Sequence, residues 1–133
     1  MRAFIDTNVL IRHLTGDPPD LAARATQLIS EAEELLLADL IVAEVVYVLE
    51  SFYQVERSRI AEMVRAIVTF EAMRVVDDTL LMRATEIYEI DGLDFAEAYL
   101  VASAERSGVG IVASFDRSID RVATVARLEP PDP

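Results

Sequence analysis

Short apolar runs of three or four residues alternate with longer helical stretches along this chain. That alternation narrows the possible folds more than any other feature. Ala3-Phe4-Ile5, Leu35-Leu36-Leu37-Ala38 and Ile111-Val112-Ala113 read as buried strands, with Met73 to Val76 a further candidate. Helical stretches lie between them: Leu21 to Glu34, with Leu21, Ala25, Leu28, Ile29 and Ala32 on one stripe; Leu40 to Phe52; and Glu56 to Glu71, with Ile60, Met63, Val64, Ile67 and Val68 inward. Thr79 to Ile90 and Asp94 to Ser107 follow. Asn8 reads as the cap of a short helix ending near Leu14, and Val122 to Val125 as a last edge strand. The expected fold class is α/β: a three-layer α/β/α sandwich with a small central parallel sheet. No repeat or linker interrupts the pattern. Residues 1–126 therefore read as a single domain and residues 127–133, rich in proline, as a loose C-terminal tail.

Composition excludes several classes of function. With 53% hydrophobic residues and a mean hydropathy of +0.29, the chain is expected to fold. Its most apolar window, Leu35 to Leu49, carries Asp39 and Glu44 and is too short to span a bilayer, so no membrane partner is expected. Asp6 arrives too early for a secretory signal, and the chain has no cysteine to form disulfides or thiolate metal sites. A cytoplasmic location is expected. Acids outnumber bases 24 to 12, for a net charge of −12, and all twelve bases are arginine. Chemistry that needs a lysine is excluded. So acidic a surface repels nucleic acid at long range, so any nucleic-acid activity requires metal ions, clustered arginines or a partner.

Five acids sit where acids are unusual. Asp6 ends the first strand, and Asp116 ends the third in the same way. Glu44 lies in Leu40-Ile41-Val42-Ala43-Glu44-Val45-Val46, where nearly every neighbour is apolar, and is expected in mid-stripe of a buried helix. Asp94 and Glu97, three apart, share a helix face. In a parallel sheet the two strand ends emerge at one edge, where ligands bind in open α/β folds. Converging carboxylates raise one another's pKa, and a divalent cation relieves that cost. All-oxygen ligation suits Mg²⁺ or Mn²⁺, which can bind a phosphodiester and activate water. Each acid also has a structural reading: Asp6 as a turn residue, Glu44 as the partner of an arginine, Asp94 with Glu97 as a capping box, Asp116 as the cap of a short helix Arg117 to Arg121.

Thr7, Asn8, Ser114 and Arg117 adjoin these acids and read either as groups that orient substrate or water, or as caps. His13, the only histidine, reads as a surface or capping residue. The apolar faces of Leu40–Phe52 and Ile60–Phe70 exceed what one small core hides, which points to an oligomer interface.

Phe4-Ile5-Asp6-Thr7-Asn8-Val9-Leu10, Ala43-Glu44-Val45-Val46-Tyr47-Val48-Leu49, Asp94-Phe95-Ala96-Glu97-Ala98-Tyr99-Leu100 and Ile111-Val112-Ala113-Ser114-Phe115-Asp116-Arg117 occur in that order over about residues 3 to 126. Together they resemble the PIN domain, and within it the VapC-type toxins of prokaryotic toxin–antitoxin pairs. The resemblance implies a metal-dependent endoribonuclease with a central parallel sheet. It also implies a homodimer and a small antitoxin offering basic residues to the acidic site. The family's acids fall on Asp6, Glu44, Glu97 and Asp116, which the resemblance makes catalytic and metal-binding, with Asp94 a secondary ligand. Glu97 departs from the family's usual aspartate, and its side chain reaches one methylene further. A haloacid-dehalogenase-type phosphatase or a receiver domain would need a lysine. The remaining alternative is a non-catalytic PIN-like module that binds RNA or protein.

Overall fold

The computed structural model describes residues 1–133, and the chain divides into two compact units, Met1–Val76 and Asp77–Pro133. The first unit runs β1 (Arg2–Phe4), α1 (Thr7–Thr15), α2 (Pro19–Glu31), β2 (Glu34–Leu36), α3 (Asp39–Ser51), α4 (Arg57–Thr69) and β3 (Met73–Arg74). Its strands form a parallel sheet in the order β1-β2-β3. Arg2 stands opposite Glu34 and Phe4 opposite Leu36, while Leu35 stands opposite Met73. Glu34 on the middle strand takes the Arg2 guanidinium at 2.9 Å and lies 3.9 Å from that of Arg74, so charge complements the register.

The second unit runs α5 (Asp78–Glu86), a π-helical turn (Ile87–Asp91), α6 (Phe95–Ser107), β4 (Ile111–Ala113), a 3₁₀ turn (Arg117–Arg121) and β5 (Ala126–Leu128). β4 and β5 pair in parallel, with Ile111 opposite Ala126. The π-helical turn ends at Gly92 (φ 73°), a left-handed position that favours glycine. Arg121 closes over this bend, donating to the Gly92 carbonyl at 3.2 Å. The Arg83 guanidinium on α5 holds Glu105 on α6 through two 2.9 Å bonds and also meets Glu86, while Thr124 donates to Glu105. These hydrogen bonds hold the Glu105 carboxyl below its ordinary range, with burial opposing, and push the Arg83 guanidinium up.

The alternation of short parallel strands with helices is present as expected, and no helix is long and apolar enough to cross a membrane. The fold class is the expected α/β with small parallel sheets: three paired strands in the first unit and two in the second. The last strand lies at Ala126–Leu128, beyond the expected Val122 to Val125, so Arg127 and Leu128 are ladder residues. The backbone of Ala126 donates to Gly110 and Leu128 accepts from Ser114, which sets this register. α2 is rotated from the expected stripe. Ala22, Ala25 and Ile29 face inward, and Leu21 and Leu28 are left exposed. The inward face of α4 is as expected, save that Ala61 is buried and Met63 half-buried.

Candidate active site

The corner between β1 and α1 is built around Thr7. Asp6 keeps an extended backbone (φ −92°, ψ 159°) and serves as the N-cap of α1, its Oδ1 accepting from the Thr7 N–H at 2.8 Å. Asp6, not Asn8, therefore opens this helix. Thr7 itself is only 7% exposed, and its hydroxyl donates to Glu44 Oε2 on α3 at 2.7 Å. One buried threonine thus binds both acids of the first unit. Each carboxylate commits one oxygen to Thr7, leaving Asp6 Oδ2 and Glu44 Oε1 without a protein partner.

Glu44 corrects the expectation of a buried helical acid. It is exposed, on the outward side of α3 with Leu40 (71% exposed) and Tyr47 (69%). Val42, Val45, Val46 and Leu49 turn inward at helical spacing and bury the other face. The apolar neighbours in sequence are not its neighbours in space. Its partner is a threonine, not an arginine.

In the second unit Asp94 is the N-cap residue of α6 but makes no side-chain capping bond, so the capping box is not completed there. Glu97 sits half-buried in the first turn of that helix. Asp116 caps the 3₁₀ turn, its Oδ1 accepting from the Ser118 N–H at 2.9 Å. The Ser114 hydroxyl in turn accepts from the Asp116 N–H at 2.9 Å. Hydrogen bonds from the Ser118 side chain and backbone hold the Asp116 carboxyl below the usual carboxylate range, with smaller help from the Arg121 and Arg127 charges. This is opposite to the rise expected of crowded carboxylates. Arg127 on β5 braces the same corner, donating to the Ser114 carbonyl at 3.0 Å and gripping both Asp120 oxygens at 3.1 and 3.2 Å.

Asn8 and Arg117 are exposed, each within two residues of a strand-ending acid. His13 is a structural residue, its Nδ1 2.8 Å from Thr26 Oγ1, tying α1 to α2. Ser118 and Arg127 escaped the sequence reading. Ser118 follows Asp116 by two residues, a spacing that suits a local side-chain turn and could have disclosed it. Arg127 carried no local signal, because its contacts depend on the β4–β5 register.

The donors are carboxylate oxygens in both units, which suits a hard divalent cation. Within neither unit do three acids come close enough to share an ion. The first unit offers the two carboxylates, each with a free oxygen, that Mg²⁺ commonly takes from a protein alongside phosphate and water.

Residues 3–125 match the family model of the PIN domain. A VapC ribonuclease of Aquifex aeolicus (strain VF5) is 26% identical over 122 residues, covering 90% of each chain. Among solved structures, the VapBC2 complex of Rickettsia felis bound to a DNA fragment from its promoter covers 97% of this chain and 98% of the matched one, at 12% identity and a TM-score of 0.39, too loose a likeness to carry weight.

Proposed function

The chain belongs to the PIN-domain family, and from that premise we propose that it is a metal-dependent endoribonuclease, the toxin of a type II toxin–antitoxin pair. The similarity to a VapC ribonuclease along nearly its whole length supports this reading. The observation that carries it is the Thr7 bridge, which orients two carboxylates and leaves one oxygen of each available to a cation.

The nuclease domain in this reading extends past the expected residue 126 to take in β5, through Leu128. Asp6, Glu44, Glu97 and Asp116 are its catalytic and metal-binding acids, and Asp94 is a secondary ligand. When bound there, Mg²⁺ or Mn²⁺ would lower the pKa of the attacking water and stabilise the leaving oxygen. Thr7 holds Asp6 and Glu44 in place. Ser114 orients Asp116, and the Ser118 hydrogen bonds favour the ionised form of its carboxyl, the form that accepts a cation. Asn8 and Arg117 contact the RNA backbone. The protein acts in the cytoplasm, and a small antitoxin with basic residues holds it inactive, as the charge of −12 favours. The exposed Leu40 and Tyr47 on α3 suit a homodimer interface.

The test is cleavage of mixed RNA with Mg²⁺ or Mn²⁺, with and without chelator, by wild type and Asp6→Asn. Cleavage should vanish with chelator and in the variant. Active protein indifferent to both would overturn the mechanism, and failure to cut any RNA would return the chain to the non-catalytic binding class.

A further inference from the structure

The groove between α1 and α2 is where the first unit leaves positive charge unpaired. It is open, holds about 400 Å³, and is lined by Asn8, Val9 and Arg12 from α1 and by Leu21, Arg24 and Leu28 from α2. Arg2, Arg59 and Arg74 in the same unit each face a carboxylate. Arg12 instead donates to the backbone carbonyl of Asp17 at 3.1 Å, and Arg24 stands exposed without an ion-pair partner. In a chain with twice as many acids as bases, two unpaired guanidiniums on one groove are conspicuous. They retain donors in a planar fork that fits phosphate oxygens.

The groove also has an apolar wall. The rotation of α2 leaves Leu21 37% and Leu28 41% exposed beside the arginines. Such a wall suits the unstacked bases of a single strand, whereas a duplex hides its base faces. The His13–Thr26 contact ties the two helices that form the groove. The groove also leads toward the candidate site. Asn8 is two residues from Asp6, and Arg12 lies about 6 Å beyond Asn8 along the axis at 1.5 Å per residue.

We propose that this groove is a phosphodiester subsite, in which Arg12 and Arg24 bind phosphates of a single-stranded RNA whose chain continues to the Asp6 end of α1. The identity of the polymer rests on the nuclease reading; the anion-binding character of the groove does not.

The test is a fluorescence-anisotropy titration of a labelled 15-nucleotide mixed-sequence RNA, made in an Asp6→Asn background so that the probe stays intact. Arg12→Ala with Arg24→Ala should weaken binding on the order of tenfold near 0.1 M salt. The slope of log affinity against log salt should fall by about 1.4, at about 0.7 for each single-strand phosphate no longer neutralised. Arg12→Lys with Arg24→Lys should keep most of that slope, because the charges remain. Arg59→Ala should change neither quantity. Unchanged affinity and slope in a double alanine variant that unfolds at the wild-type midpoint would overturn the proposal. So would equal weakening by Arg59→Ala, or loss of binding to an acidic Glu/Leu peptide while RNA binding is retained, which would make the groove a protein-docking surface. Cleavage assays separate the two readings. Metal-dependent cleavage and RNA binding that both ignore Arg12 and Arg24 would sink the groove alone. Groove-dependent RNA binding by a wild-type protein that cuts nothing would sink the nuclease reading alone.

Discussion

Asp6 and Asp116 carry the same local signature and are held by opposite means. Each lies just beyond a short parallel strand and caps the helical turn that follows. Around Asp116 the nearest supports lie within two residues, in Ser114 and Ser118. Around Asp6 the decisive contact spans 37 residues, from the Thr7 hydroxyl to Glu44. A strand-ending aspartate can thus be set by its own turn or by a distant helix. The second construction brings a further carboxylate with it, and so comes nearer to making a metal site. It also makes the Asp6 corner depend on correct packing of α1 against α3, whereas the Asp116 corner depends on its turn and on the Arg127 brace.

Substitutions at the two corners test this contrast. Asp6→Asn should have the largest effect, lowering metal-supported RNA cleavage by more than about a hundredfold, since several kcal/mol of charge stabilisation are at stake. Residual activity above a tenth of wild type would show that the Thr7-centred corner is not the core of the site. Thr7→Val should come next, with about 10–100-fold loss and a higher Mg²⁺ requirement, as for other residues that orient metal ligands. Thr7→Ser should restore most of it. Equal activity of the valine and serine variants would remove the hydroxyl bridge from the mechanism.

Ser118→Ala should cost only severalfold at neutral pH, because Asp116 remains ionised there. The signature lies in the pH profile. The Ser118 hydrogen bonds hold the Asp116 carboxyl below its ordinary value of 3.8, so removing the hydroxyl should move the acid limb of activity upward. An unmoved limb would mean that Asp116 titrates outside the reaction. Glu105→Gln should have the least effect on cleavage and instead lower stability, by about 2 kcal/mol for the charged bonds to Arg83. The Glu105 pKa lies below its ordinary 4.5 in the fold, so its contribution is present above about pH 4.5 and is lost as pH falls through the folded value. Chemical denaturation at pH 7 and pH 3 should show the variant's deficit shrinking at the lower pH.

The pattern of strands and helices was legible because it rests on local periodicity and on turn chemistry. The 3₁₀ turn after Asp116 was legible for the same reason, its capping group lying within two residues. Two features of the helices were misread. Glu44 looked buried among valines, and Leu21 and Leu28 looked like core; rotation of each helix about its axis placed them outside. Where apolar residues occupy more than one face, sequence cannot tell which face the partner covers. The Arg83–Glu105 pair spans 22 residues, and nothing near either residue announces it.

By itself the sequence determined the class of fold, the absence of lysine and cysteine chemistry, and the positions where acids end strands or open helices. It could do so because each of these rests on composition or on contacts within one or two turns. Tertiary structure alone decided that Thr7 joins Asp6 to Glu44, that Arg127 braces the Asp116 corner, and that Arg12 and Arg24 share a groove. Those arrangements depend on helix rotation and strand register, which are set when whole faces are buried against one another. No short stretch of residues contains that information.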